Sequence, residues 1–155
     1  MVRKILANGV EGVCLALMVV LSVDLMLGVF SRYVLVRTFT WYDEIARICF
    51  VWVVFLGAAV GVKRHAHFRF HLAVDKLPPR GRWVVGVFGR LVVIGFAAAL
   101  VQQGWAFVEL GRFQQTPVMG LPKSGVYLAM PVGGALMILY SLGPLWRNLR
   151  EPAGR

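Results

Sequence analysis

Long apolar stretches alternate along the chain with short, mostly basic breaks, and each stretch is long enough to cross a bilayer. The first runs from about Leu6 to Val34, with a 20-residue core from Gly12 to Ser31 interrupted by one charge, Asp24. The second runs from Trp41 to Val62 and is uncharged from Ile48 onward. The third, Trp83 to Leu110, carries Arg90 near its start. The fourth, Ser124 to Trp146, has no charged residue, and only Pro131 and the Gly133-Gly134 pair break its apolar character. About 20 predominantly apolar residues cross a membrane as one helix. Helices of a soluble bundle would show polar faces at helical spacing, and the first and fourth stretches have none. The pattern predicts an all-α integral membrane protein with four transmembrane helices at about 6–34, 41–62, 83–110 and 124–146, forming one bundle and one membrane domain over 1–155.

Arg3 and Lys4 ahead of an apolar run also suit a cleaved signal peptide, but the run is too long, contains Asp24 and lacks a small-x-small cleavage site. An uncleaved first helix is expected. Composition agrees with a membrane protein. Of 155 residues 59% are hydrophobic and 15% charged, against about 25% charged in an ordinary soluble domain, and the mean hydropathy is +0.72.

The formal net charge of +10 would suggest nucleic acid if the chain were soluble. Its distribution points elsewhere. Eleven of the 17 Lys and Arg residues fall at the N-terminus (Arg3, Lys4), in the loop after span two (Lys63, Arg64, Arg69, Lys76, Arg80, Arg82) and in the tail (Arg147, Arg150, Arg155). The other side holds Arg32, Arg37, Arg112 and Lys123, while Arg47 and Arg90 lie within spans. The positive-inside bias then predicts both termini and the middle loop to be cytoplasmic. The excess charge is read as topology and contact with membrane lipids, with no nucleic-acid partner.

Thr40-Trp41-Tyr42-Asp43 has capping-box spacing ahead of span two. Asp43 and Glu44 then occupy the first helical turn, where the helix dipole favours negative charge, and Arg47 lies one turn on. A self-satisfied helix terminus accounts for these three residues; docking of a partner at the membrane boundary is the alternative. From His65 to Leu77, Ala66, Phe70, Ala73, Val74 and Leu77 share one helical face, which predicts an interfacial amphipathic helix between spans two and three, ended by Pro78-Pro79. Trp41, Trp83 and Trp146 fall at span ends, where amphipathic rings anchor a helix. Gly57 and Gly61 form a G-x-x-x-G with Ala58 and Ala59 between them, a face open to close approach by another helix.

Candidate chemistry is sparse. His65, His67 and His71 invite a metal reading, but Asp75 is the only carboxylate nearby and a site needs three or four ligands. All three histidines lie outside the spans, so no intramembrane pair holds a haem. Cys14 and Cys49 sit in different spans without redox spacing. No phosphate loop, zinc-protease motif or nucleophile set is present, so no enzyme, cofactor or metal is expected.

Asp24 demands a partner, because a carboxylate at the centre of a span costs about 2.5–3.5 kcal/mol on insertion scales. It lies about 15 Å from the outer end of span one at the helical rise, and Arg47 about 9 Å from the outer end of span two. These depths suggest an Asp24–Arg47 pair, with Gln102 and Gln103 of span three as further hydrogen-bond partners. The functional alternative makes Asp24 an ion or proton site, although neither internal repeats nor paired broken helices are visible. Arg90 can snorkel to the inner surface.

Taken together, Ser31-Arg32-Tyr33, Trp41-x-x-Glu44-x-x-Arg47, Trp52-Val53-Val54-Phe55-Leu56-Gly57-Ala58-Ala59, His67-Phe68-Arg69-Phe70 and Val74-Asp75-Lys76-Leu77-Pro78 occur in an order that resembles the small permease subunit, DctQ type, of tripartite ATP-independent periplasmic (TRAP) transporters. Leu121-Pro122, Tyr127, Pro131 and Gly133 of the fourth span agree, and the resemblance runs from about Leu6 to Leu145. Asp43 stands where a Glu is common, which preserves the charge.

The resemblance implies a non-catalytic subunit in the bacterial inner membrane. Its partners would be a large TRAP permease subunit, which carries the substrate and sodium sites, and a periplasmic substrate-binding protein that delivers an organic acid. It also implies a scaffolding role. Segments Arg37–Arg47 and Arg112–Lys123 are then expected to face the binding protein, and Gly57 and Gly61 the large subunit. Asp24, Trp41, Glu44, Arg47, Gly57 and Gly61 are the candidate interface or structural residues. Two rival readings stand beside this one: a self-sufficient dimeric exporter using Asp24, and a membrane anchor for a redox enzyme.

Overall fold

A computed structural model describes residues 2–35, 41–65 and 79–150. They form α1 (Val2–Tyr33), α2 (Trp41–His65), α3 (Pro79–Gly111), α4 (Ser124–Tyr127) and α5 (Ala129–Arg150). Among the described residues four segments are long and apolar enough to cross a membrane, Gly9–Tyr33, Trp41–Lys63, Val84–Gly111 and Ser124–Leu142. Their bounds lie close to those expected from hydropathy. The amphipathic segment expected over His65–Leu77 lies, beyond His65, outside the described residues, as does Thr40 of the capping box.

The fourth span is not one continuous helix. A short α4 gives way to α5 at Leu128, because Pro131 has no N–H to donate to the carbonyl of Tyr127 and its ring crowds that turn. The ladder continues around it, with Leu128 N donating to Ser124 O at 2.9 Å and Val132 N to Leu128 O at 3.2 Å.

Helix order in space is α1, α2, α5, α3. The extensive contacts run α1 to α2, α2 to α5 and α5 to α3, with α4 seated on α3. Among the described residues no extensive contact joins α1 to α3 or α5, so the four spans stand in an open row. In lipid, apolar side chains gain little by leaving one apolar neighbour for another; helices associate where small residues let backbones approach. That rule explains the row. A Cβ on Gly104 of α3 would stand 2.8 Å from Met130 Cβ and 2.9 Å from Pro131 Cδ. One on Gly133 would meet Phe55 Cβ at 2.8 Å, and one on Gly134 would meet the Ala97 carbonyl oxygen at 2.9 Å. Gly133 and Gly134 thus turn toward α2 and α3 respectively and make α5 the central helix. Around them Ala59, Ala97, Met137 and Tyr140 are buried, with Val62, Leu100, Leu136 and Ile138 packed against the cluster.

The α1–α2 seam has no such close glycine contact. Its glycine contacts are of ordinary van der Waals length, Gly57 to Cys14 Sγ at 4.0 Å and Gly28 to Tyr42 Cβ at 3.8 Å. Lys63 Nζ closes one end on Glu11 Oε1 at 2.6 Å. Among the described residues of α1, those that are buried are polar, Asp24 and Ser31.

Candidate functional site

The most built feature outside the helix packing is the connection from α3 to α4. Three short turns end α3, with Arg112 N on Glu109 O, Phe113 N on Leu110 O and Gln114 N on Gly111 O at 3.2–3.3 Å. The chain then folds back on itself. Thr116 N donates to Leu121 O at 2.8 Å and Lys123 N to Gln114 O at 2.9 Å, which pairs Gln115 with Pro122. Thr116 Oγ1 accepts from Leu121 N at 2.9 Å, and Gly120 takes the left-handed φ of +65° that closes the turn.

Glu44 fastens this loop to α2. Its side chain is buried, and Oε2 accepts from the backbone N–H of Met119 at 2.8 Å, across 75 residues of sequence. A charged acceptor on a backbone donor is one of the stronger hydrogen bonds available to a loop. Between loop and helix lies a cavity of about 380 Å³, lined by Glu44, Arg47, Ile48, Thr116, Lys123 and Tyr127 among others. Two cations and two carboxylates, with Asp43 the second of these, stand on a mainly apolar wall.

The residues singled out from sequence fall in different places. Trp41 opens α2, exposed, with its ring 3.7 Å from that of Tyr42. Glu44 and Arg47 share the loop-facing side of α2. Asp24 is buried on the other side, in the seam with α1, where Oδ2 has no hydrogen-bond partner among the described residues. No ion pair joins it to Arg47. Depth was matched but direction was not: Asp24 faces α2 on the side of Cys14, Gly28 and Gly57, whereas Arg47 is exposed and turned toward the loop. Gln102 and Gln103 do not reach Asp24 either, since α2 and α5 stand between α3 and α1; both are exposed. Gly57 rests on α1 of its own chain, while Gly61 has open space beyond its Cβ position. Among the described residues no three His, Cys, Asp or Glu side chains group as metal ligands.

Sequence reasoning missed the Glu44–Met119 bond, for which no local spacing gives a signal, and the tight packing of Gly104. The Thr116-Pro117 step before Gly120 was the available sign of a turn.

A family model described as the DctQ component of tripartite ATP-independent periplasmic transporters matches residues 18–151. The chain belongs to the DctQ family. It is 26% identical over 150 residues to the sialic acid TRAP transporter small permease protein SiaQ of Vibrio cholerae, covering 97% of this chain and 87% of that one. It is 27% identical over 123 residues to the C4-dicarboxylate TRAP transporter small permease protein DctQ of Pseudomonas aeruginosa, covering 76% and 58%. Against the isethionate TRAP transporter permease protein DctMQ of Oleidesulfovibrio alaskensis it is 28% identical over 112 residues, 71% of this chain but 18% of that longer one. This DctQ chain is thus a small permease subunit, a multi-pass protein of the bacterial inner membrane and a member of a family of transporter subunits, not enzymes.

Proposed function

We propose that this DctQ chain is the scaffolding subunit of a sodium-coupled, binding-protein-dependent transporter for organic acids. The large permease subunit holds the substrate and sodium sites; this chain enlarges the static body against which the moving part works. The observation that carries the reading is the open row. In an apolar 18-residue stretch of the first span, and in one of the third, only 6% is buried within the chain, so two long helices keep most of their surface for neighbours in the membrane. The DctMQ relative supports a large permease as one such neighbour, because there a DctQ-like stretch occupies 18% of a single permease chain. Sialic acid, C4-dicarboxylate and isethionate in the relatives' names are all organic anions, which supports the substrate class.

Orientation follows from the basic residues, with both termini inside. The α3–α4 loop then lies in the periplasm, and with the start of α2 it supplies surface for the binding protein. Reconstitution tests the whole reading. Liposomes holding this chain, the large permease and the binding protein accumulate an organic acid under an inward sodium gradient, and omission of any one abolishes uptake. Uptake by this chain alone, lost in Asp24→Asn, would establish the exporter instead.

A further inference from the structure

We infer that the outer face of α3, centred on Gln102, is the seam on which a transmembrane helix of the large permease docks through hydrogen bonds to its amides. The inference rests on the subunit reading above and adds where the contact is made and by what chemistry. With 3.6 residues per turn, Gly95, Ala99, Gln102 and Ala106 fall opposite the buried residues Ala97, Gly104 and Val108, of which Ala97 and Gly104 meet α5. All four are exposed, and Gln103 is exposed beside them. Gln102 lies nine residues before Gly111, about 14 Å along the helix, close to the middle of a hydrocarbon core about 30 Å thick.

The amides decide the matter. Neither Gln102 nor Gln103 has a hydrogen bond to another described residue, and acyl chains supply neither donors nor acceptors. An amide moved from water into a medium that cannot hydrogen-bond costs about 4–8 kcal/mol, so two of them side by side at that depth need a polar neighbour. The row supplies none, because α3 is its edge and α5 is packed on the opposite side. The flanking residues fit the same occupant. Alanine and glycine on either side of Gln102 let a second backbone come close enough for the amide to reach it, and Gly95 has nothing within 4 Å of its Cβ position.

The other edge is built for lipid. On the open face of α1 stand Leu15, Val19, Met26 and Val29, exposed and large, and the polar residue among them, Ser22, donates to its own helix at Met18 O, 2.8 Å. The occupant of the α3 seam is the large permease, since in the DctMQ relative a DctQ-like stretch occupies 18% of a single permease chain; a second copy of this chain is an outcome of the test.

Photo-crosslinking in membranes that hold the assembled transporter tests this. A benzophenone amino acid replaces Gln102 or Ala99 in one set of variants and Leu15 or Met26 in another. Adducts to the large permease form at the α3 positions about tenfold more than at the α1 positions, and Ala99→Leu or Gln102→Leu lowers recovery of the large permease by about tenfold. Gln102→Asn restores most of it. The helical content of the purified chain is unchanged in all of them, since these side chains are exposed. Adducts between two copies of this chain, or to lipid alone at Gln102, would overturn the inference. Permease adducts at Met26 without any at Gln102 would overturn it while leaving the subunit reading intact. Failure to recover the large permease with the unaltered chain would remove both.

Discussion

The two sides of α2 are built by different means. Toward α5 its contact is a backbone meeting a glycine, with Phe55 so close to Gly133 that one added methyl group would collide. Toward α1 the glycines keep ordinary distances, an ion pair closes one end, and the polar side chains of Asp24 and Ser31 are buried along the length. The difference separates two jobs. Close packing supplies attraction in a medium where apolar burial gives none. Buried polar groups supply direction, because a carboxylate turned toward acyl chains costs about 2.5–3.5 kcal/mol on insertion scales. Asp24 therefore fixes which face of α1 looks inward without holding it tightly. The α2–α5–α3 unit is the part joined by close glycine contacts, and α1 is an oriented flank.

The largest effect expected from this comparison is at α5. Gly134→Leu sets a side chain against the Ala97 carbonyl and Val101, a backbone and a β-branched residue that cannot swing away, and costs about 3 kcal/mol. Gly61→Leu, with open space around it, changes stability by about 0.5 kcal/mol or less. Thermal unfolding in detergent measures both, and equal losses would end the distinction between the seams. Glu44→Ala comes next. It leaves the Met119 N–H without its acceptor and costs about 1–3 kcal/mol, whereas Glu44→Gln, which keeps an acceptor oxygen, loses less. Hydrogen exchange at the Met119 amide reads the loop directly and speeds up in the alanine variant. Lys63→Ala follows. Lys63 and Glu11 are each more than a quarter exposed, so the loss is about 1 kcal/mol or less and shrinks as salt is added.

How far sequence carried this description depends on the kind of order involved. The four spans were legible because hydropathy over some 20 residues is set by the membrane itself, and their ends lie within a few residues of those expected. The break at Leu128 was visible only as Pro131, whose missing N–H is local. Arrangement in space was not legible. Gly57 and Gly61 carry the recognisable spacing yet line no close contact, while Gly104, Gly133 and Gly134, which do, follow no such spacing. Which glycine matters depends on the neighbour that arrives, and that is decided by all the helices together. Glu44 was marked out by its place in the first turn, where the helix dipole explained it. Its partner, Met119, sits on a loop 75 residues away, and no pattern within α2 encodes that distance.

Asp24 and Arg47 show the same gap between depth and direction, and they give the smallest effect. Rise along two antiparallel helices puts them at one level, which is all a count of residues can establish. Rotation about each helix then separates them: Asp24 enters the α1–α2 seam, and Arg47 stands on the loop-facing side of α2 with Glu44, Ile48 and Val51. A double-mutant cycle with Asp24→Asn and Arg47→Gln, followed by thermal unfolding in detergent, therefore gives a coupling within about 0.5 kcal/mol of zero, as for independent sites. Each single variant reports on its own seam. Asp24→Asn keeps the shape and polarity that orient α1, and Arg47→Gln changes a cavity wall. A coupling well above 1 kcal/mol, the size residues in contact show, would mean the pair forms in the membrane, and α1 would then be held by attraction as firmly as α5.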